Sequence, residues 1–340
     1  MRALRGTAAV LLAAGCALMV GCTAAGIGST AAPAPSTATV VGESDDFVVV
    51  VAKRGETTEV LARTHLGDAR KAWMIEDFNN GARAFSAGQR VVIPRKPWNP
   101  SGIEPTGYQL VPILVYHNLA PQSTGRLVLG VDAFGEQMRY LKREGYRVVT
   151  LAEFVEWLRL KRQLPKKSVV LTFDDGYQSF RNHAYPVLKE LGFPATLFVY
   201  TDYVGASRNA LSWDDLKSLV AEGFDVQAHS KTHADLRRAA GETDAQYARR
   251  MQAELTEPAR LFQRQLGRGV PFLAYPYGRF DDALLARVRE QGYAAAFTVR
   301  RESNASFVRA LQISRSQIYS EMTLEQFAKN LNLFHTEDLR

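Results

Sequence analysis

From Tyr108 to about His335 the chain alternates short runs that are apolar at nearly every position with longer stretches of helical period. The strand candidates fall at 111–116, 148–150, 168–173, 195–199, 225–228, 272–275, 295–299 and 311–313, with Asp225, Gln227 and Gln312 as polar interruptions. The helical stretches fall at 132–144, 151–162, 184–191, 213–222, 244–266, 281–291 and 323–332. A strand without polar alternation has to be covered on both faces, and helices between strands supply that cover when the strands run parallel. About seven such units favour a closed barrel over an open sheet, and in a βα barrel the chemistry sits where the strands end.

The N-terminus is of another kind. Arg2 and Arg5 precede an apolar run over 8–20 that ends at Met19-Val20-Gly21-Cys22. The run reads as an export signal and is shorter than the roughly 20 residues that span a bilayer. The Gly-Cys ending resembles a bacterial lipobox, which implies a signal peptide over 1–21 and a lipid on Cys22. Cys16 and Cys22 are the two cysteines, so the processed chain would carry neither a free thiol nor a disulfide. Residues 22–46 are rich in Ala, Thr, Ser, Gly and Pro and read as a flexible tether. Thr23 stands where Asp marks inner-membrane retention in some bacteria. The expected location is the cell envelope, held by the lipid alone, at the outer membrane or in the periplasm where there are two membranes. The net charge of +7 is mildly basic, but no basic cluster is interleaved with aromatics, which argues against a nucleic-acid partner.

Residues 47–97 form a compact unit. A β-branched strand at 47–51 leads past Gly55 to a helix capped at Thr57 or Thr58. A second helix carries Trp73, Met74, Ile75 and Phe78 and ends near Asn79, and Val91-Val92-Ile93 closes the unit before Pro94. This β-α-α-β order resembles the LysM glycan-binding module, on Gly55-Glu56-Thr57, Asn79 and the stretch Ser86 to Pro94. The resemblance implies binding of N-acetylglucosamine-containing chains such as peptidoglycan. Residues 98–107 are a Pro-rich linker.

Two strand ends carry the chemistry. The apolar run ending at Phe173 delivers Asp174 and Asp175, followed by Gly176. Adjacent carboxylates at a strand end are unfavourable unless a cation or a proton separates their roles. The next strand but one runs into His229-Ser230-Lys231-Thr232-His233, and two imidazoles four residues apart can grip one ion. One carboxylate with two imidazoles makes a three-ligand site with an open position, as in catalytic zinc sites, and leaves the second carboxylate free as a base. The pattern points to metal-assisted hydrolysis.

With these residues in view, 108–340 resembles the NodB-homology polysaccharide deacetylases, carbohydrate esterase family 4, in a distorted (β/α)7 barrel. Thr172-Phe173-Asp174-Asp175-Gly176 matches the first family motif and His229-Ser230-Lys231-Thr232-His233 the second. The match implies Asp174 as catalytic base and Asp175, His229 and His233 as ligands of a divalent metal, Zn2+ being the expected ion. The third motif survives in part as Tyr275-Pro276-Tyr277-Gly278, which implies that Tyr275, Pro276 and Tyr277 line the sugar groove, with a backbone N–H near Tyr277 for the oxyanion. Ala274 stands where the family has the Arg that orients the base. Arg315, at the end of the last strand candidate, is the expected replacement. Together with the 112–117 segment, this form resembles the branch acting on poly-N-acetylglucosamine, and it places His117 at the pocket. The expected reaction is hydrolysis of the N-acetyl group on an extracellular N-acetylhexosamine polymer. A peptidoglycan N-acetylglucosamine deacetylase and a non-catalytic wall-binding lipoprotein are the alternatives.

Overall fold

The computed structural model describes residues 35–340, so the expected export signal and Cys22 lie outside the described residues. Among the described residues no helix is long and apolar enough to cross a membrane.

The first unit is a three-stranded antiparallel sheet, β1 (Thr39–Glu43), β2 (Phe47–Val51) and β3 (Arg90–Pro94), in that order. Helices α1 (Thr58–Leu66) and α2 (Ala72–Phe78) pack on it. Inward residues Val48, Val50, Leu61, Ile75, Val91 and Ile93 make its core. The Thr57 hydroxyl caps α1 by accepting from Val60 N–H. Asn79 fastens the end of α2 to β3: its Nδ2 donates to the carbonyls of Ile75 and Val92, both at 2.7 Å, and its Oδ1 accepts from Val92 N–H at 3.1 Å. Strand β1 is a correction, because it lies inside the 22–46 stretch expected to be a tether. Thr39, Val40 and Val41 give that stretch enough β-branched side chain to add an edge to β2.

The second unit opens with two short strands, β4 (Ile103–Glu104) and β5 (Gly107–Gln109). The elements then follow as β6 (Ile113–Tyr116), β7 (Asn118–Ala120), β8 (Val128–Gly130), α3 (Val131–Arg143), β9 (Arg147–Val148), α4 (Leu151–Leu158), β10 (Ser168–Asp175), α5 (Tyr185–Leu191), β11 (Thr196–Val199), α6 (Trp213–Ala221) and β12 (Asp225–Ala228). The chain continues with α7 (Asp244–Met251), α8 (Glu257–Leu266), β13 (Phe272–Ala274), α9 (Asp282–Glu290), β14 (Ala295–Phe297), β15 (Ser316–Gln317), α10 (Leu324–Ala328) and β16 (Phe334–Thr336). The main sheet is parallel throughout, in the order β14-β13-β12-β11-β10-β6-β15, with β9 alongside the start of β10. It curls into the distorted barrel expected for this α/β domain.

Alternate residues of each strand serve two cores. Val170, Phe198, Phe272, Ala274 and Phe297 point inward, whereas Leu171, Phe173, Leu197, Val226 and Leu273 face the helices. The expected strand at 311–313 is a second correction. Only Ile313 of that run pairs, bridging Phe297, before the chain moves over to pair Ser316 and Gln317 with β6. This crossing segment joins the two edges of the sheet, so it cannot lie along either for long. The single helix expected over 244–266 is instead α7 and α8 separated by a π-helical turn at Gln252–Thr256.

The two units touch. The ring of Trp98 lies against Phe78 (5.2 Å between centroids) and Trp73 (6.4 Å). Backbone N–H of Lys166 donates to Asp77 Oδ2 at 2.9 Å, and Arg147 pairs with Glu76 at 3.1 Å. Gln163 accepts the N–H groups of Trp98 and Asn99, which pins the linker to the barrel.

Candidate active site

Asp174 and Asp175 end β10 beside Phe198 and Val199 of β11. Asp174 continues the inward register of Val170 and Thr172. Asp175 turns aside at φ 76°, and Gly176 follows at φ 87°, where a Cβ would stand 2.8 Å from Val199 Cγ1. Glycine alone fits there. Of the six non-glycine residues with positive φ among the described residues, Asp175, Ser230, His233 and Tyr277 all belong to this site. Concentrated backbone strain of this kind is maintained where the surrounding structure enforces it, most often at functional sites.

The barrel brings together the four side chains on which the sequence reading rested. His229 Nε2 lies 3.6 Å and His233 Nε2 3.5 Å from the same oxygen, Asp175 Oδ1, and one donor atom from each of the three falls within 4.8 Å of the others. His229 Nδ1 is 2.8 Å from the carbonyl oxygen of Ala274. That contact requires a proton on Nδ1, which leaves the Nε2 lone pair facing Asp175.

Burial is the main influence on both imidazoles. It lowers His229 to about 4 against the attraction of Asp174, and it lowers His233 as well, so both are neutral donors at neutral pH. Burial also raises Asp175 to about 6, with the charge of Asp174 adding to it and His117 opposing it. Asp175 Oδ1 is buried without a hydrogen-bond partner. An orphaned carboxylate oxygen facing two neutral imidazole nitrogens is a donor set that a small divalent cation satisfies, with a coordination position to spare.

Asp174 has a different neighbour. Arg315 is fully buried and grips it in a fork: Nη1 donates to Oδ1 and Nη2 to Oδ2, both at 2.7 Å. The guanidinium also donates to the carbonyl of Thr298 (3.0 Å) and lies over the ring of Phe198. Burial alone would raise the Asp174 carboxyl, but the charge of Arg315, then His229, hold it at about 2. Ala274 has only a methyl group to offer the base, and an Arg from the far edge of the sheet fills the gap. His117, just past β6, is half-buried with an unpartnered Nδ1, close enough for its charge to act on both aspartates.

Two of the expected groove residues are corrected. Tyr275 is fully buried, stacks on Phe280 and donates its hydroxyl to the carbonyl of Leu311 at 3.0 Å. Pro276 is buried as well, so neither can meet a polymer. Tyr275 continues the pairing of β13, donating its N–H to the carbonyl of Phe297 at 2.9 Å, and Pro276 opens the 3-10 turn that follows. Tyr277 differs: φ 58° swings its ring outward, 56% exposed, against His233 at 4.7 Å. Sequence reading missed the aromatic surface on the other flank, where Tyr200 lies 5.3 Å from His233 and stacks on Tyr203, which meets Tyr177 at 5.6 Å. These tyrosines sit in loops after β10 and β11, where spacing carries no periodic signal. Trp213 packs on Phe262, and His335 stacks on Tyr108 at the surface, away from the site.

Comparison with known proteins gives concordant results. Residues 161–296 match the family model described as polysaccharide deacetylase. The chain is 29% identical over 188 residues to the YxkH protein of Bacillus subtilis (strain 168), covering 55% of this chain and 64% of that protein. It is 29% identical over 179 residues to the poly-beta-1,6-N-acetyl-D-glucosamine N-deacetylase of Staphylococcus epidermidis, covering 50% of this chain and 61% of that one. These matches span less than two thirds of either relative. Among solved structures, the Streptococcus pyogenes deacetylase PplD in complex with acetate superposes with a TM-score of 0.60 at 27% identity, covering 67% of this chain and all of that one.

Proposed function

Since residues 161–296 match the polysaccharide deacetylase family model, we propose that this chain is a hydrolase of carbon–nitrogen bonds that removes acetyl groups from N-acetylhexosamine units of an extracellular polymer of the poly-N-acetylglucosamine type. The observation that carries this reading is the division of labour between adjacent carboxylates. Asp175 is orphaned and faces two neutral imidazoles, and Asp174 is held ionised by Arg315.

Asp175, His229 and His233 would hold a divalent cation, with Zn2+ the expected ion. When bound, it supplies Lewis acidity toward a carbonyl oxygen and toward water. Asp174 stays ionised across the neutral range and is the acceptor for the proton that water gives up on attacking the acetyl carbon. Arg315 fixes both oxygens of that carboxylate in one plane, so the base does not rotate away. His117, whose imidazole sits beside the two aspartates with an unpartnered Nδ1, is the donor for the departing amine. The backbone N–H of Tyr277 serves the oxyanion. The Tyr277 ring on one flank and Tyr200 and Tyr203 on the other offer apolar faces for successive sugar rings. The products are acetate and a free amine, which leaves the polymer cationic.

The first unit favours a substrate rich in N-acetylglucosamine, through its likeness to LysM modules, and a lipid on Cys22 would keep the enzyme at the envelope. Peptidoglycan is therefore the second substrate to test. Acetate release should be measured from β-1,6-linked poly-N-acetylglucosamine, peptidoglycan and chitin oligomers, with and without a chelator. Release from the first, abolished by chelator and by Asp175→Asn, is expected. A protein that binds Zn2+ yet frees acetate from none of them is a wall-binding protein instead.

A further inference from the structure

The turn that carries both histidines is held from outside the barrel by a carboxylate that no strand-end motif contains. Glu254 lies in the π-helical turn Gln252–Thr256 between α7 and α8 and is 6% exposed. Its Oε2 accepts the backbone N–H groups of Lys231 and Thr232, each at 3.0 Å, and its Oε1 accepts the Thr232 hydroxyl at 2.7 Å. The carbonyls of the same turn face the other way. Ser230 O accepts from Thr201 N–H at 3.3 Å, and Lys231 O accepts from Asp202 N–H at 3.0 Å. The end of β11 thus takes the carbonyl side of the turn, and Glu254 takes its N–H side.

The turn needs such a hold. Ser230 and His233 have φ of 69° and 61°, a region that L-residues leave unless something enforces it. Without Glu254 the Lys231 and Thr232 N–H groups would lose their partner, and the turn would relax toward ordinary backbone. The spacing of the two imidazoles depends on that backbone. A π-helical turn inserts one residue and re-aims the side chains around it, and such turns gather at functional sites. Here it presents Glu254 to the turn.

We propose that Glu254 is a positioning residue for the cation site, holding the 230–233 turn in the strained form in which His229 and His233 face Asp175. This rests on the reading of those three residues as metal ligands. The test is the affinity of the chelator-stripped full chain for Zn2+ alone, measured by competition with a chromophoric chelator. Glu254→Ala should bind roughly ten- to a hundred-fold more weakly, the range seen when groups supporting metal ligands are removed. Glu254→Gln should restore most of the affinity, because its amide oxygen can still accept both N–H groups and the Thr232 hydroxyl can turn to accept from its NH2. Tyr293→Phe, which removes a hydroxyl bonded to the Leu255 carbonyl at 3.2 Å, should lower stability and leave Zn2+ affinity unchanged. If Glu254→Ala does not fold, Thr232→Val, losing one of the three bonds, should bind several-fold more weakly. Parental affinity in whichever of these two folds overturns the proposal. An unsubstituted chain that fails to bind Zn2+ overturns the ligand reading itself.

Discussion

Arg315 and Asp174 stand 141 residues apart in sequence and share two 2.7 Å hydrogen bonds in the barrel interior. Removing one member of a buried pair leaves the other charge uncompensated, at a cost of about 3–5 kcal/mol. Arg315→Ala should therefore lower the unfolding midpoint and cut kcat by about a hundredfold or more, the lower end of what a positioned proton acceptor contributes, while Zn2+ content stays intact. Arg315→Lys should not rescue turnover, since an ammonium cannot fork onto both oxygens. His117→Ala should share the kcat loss without the stability loss, because its Nδ1 makes no hydrogen bond. Turnover at the parental level in either variant removes that residue from the mechanism. The aspartate pair and the histidine pair are legible in the sequence because each is a local spacing at the end of an apolar run. Arg315 is legible only as the answer to a gap at Ala274. The outward ring of Tyr277 and the inward ring of Tyr275 are not distinguishable that way, since one positive φ decides between them.

At the scale of elements, the strand–helix alternation predicts most of the barrel because strands buried on both faces are apolar throughout. It fails where pairing is brief or helical geometry changes locally. The 311–313 stretch carries two apolar side chains around Gln312 but only bridges two edges, and the π-helical turn at Gln252–Thr256 leaves the hydrophobic spacing of 244–266 almost undisturbed. The loop edges of the site depend on single backbone conformations. Gly176→Ala should lower stability by more than the roughly 1 kcal/mol that an unstrained glycine replacement adds, because φ is 87° and the new methyl meets Val199 at 2.8 Å. Thermal unfolding checks this, and an unchanged midpoint would mean the turn can move without loss.

At the scale of the whole molecule, the contact between the two units contains a carboxyl that burial raises to about 6, Asp77, partly relieved by the N–H of Lys166 and further raised by Glu76. Its folded-state value exceeds its ordinary 3.8, so the neutral form stabilises the folded chain at low pH. That contribution is lost as pH climbs from about 4 through 6. Asp77→Asn keeps an oxygen for Lys166. It should match the parent near pH 4 and exceed it by up to roughly 2–3 kcal/mol near pH 7.5 in denaturant unfolding. An offset that does not change between those pH values would refute the assignment. The fork between Arg315 and Asp174 has another outcome for a polymer made from its N-terminus onward. The carboxylate emerges long before the guanidinium that steadies it, so a nascent chain carries Asp174, Asp175, His229 and His233 before it holds Asp174 in place. The proposed hydrolytic competence would then arrive in one late event, when the barrel seam closes.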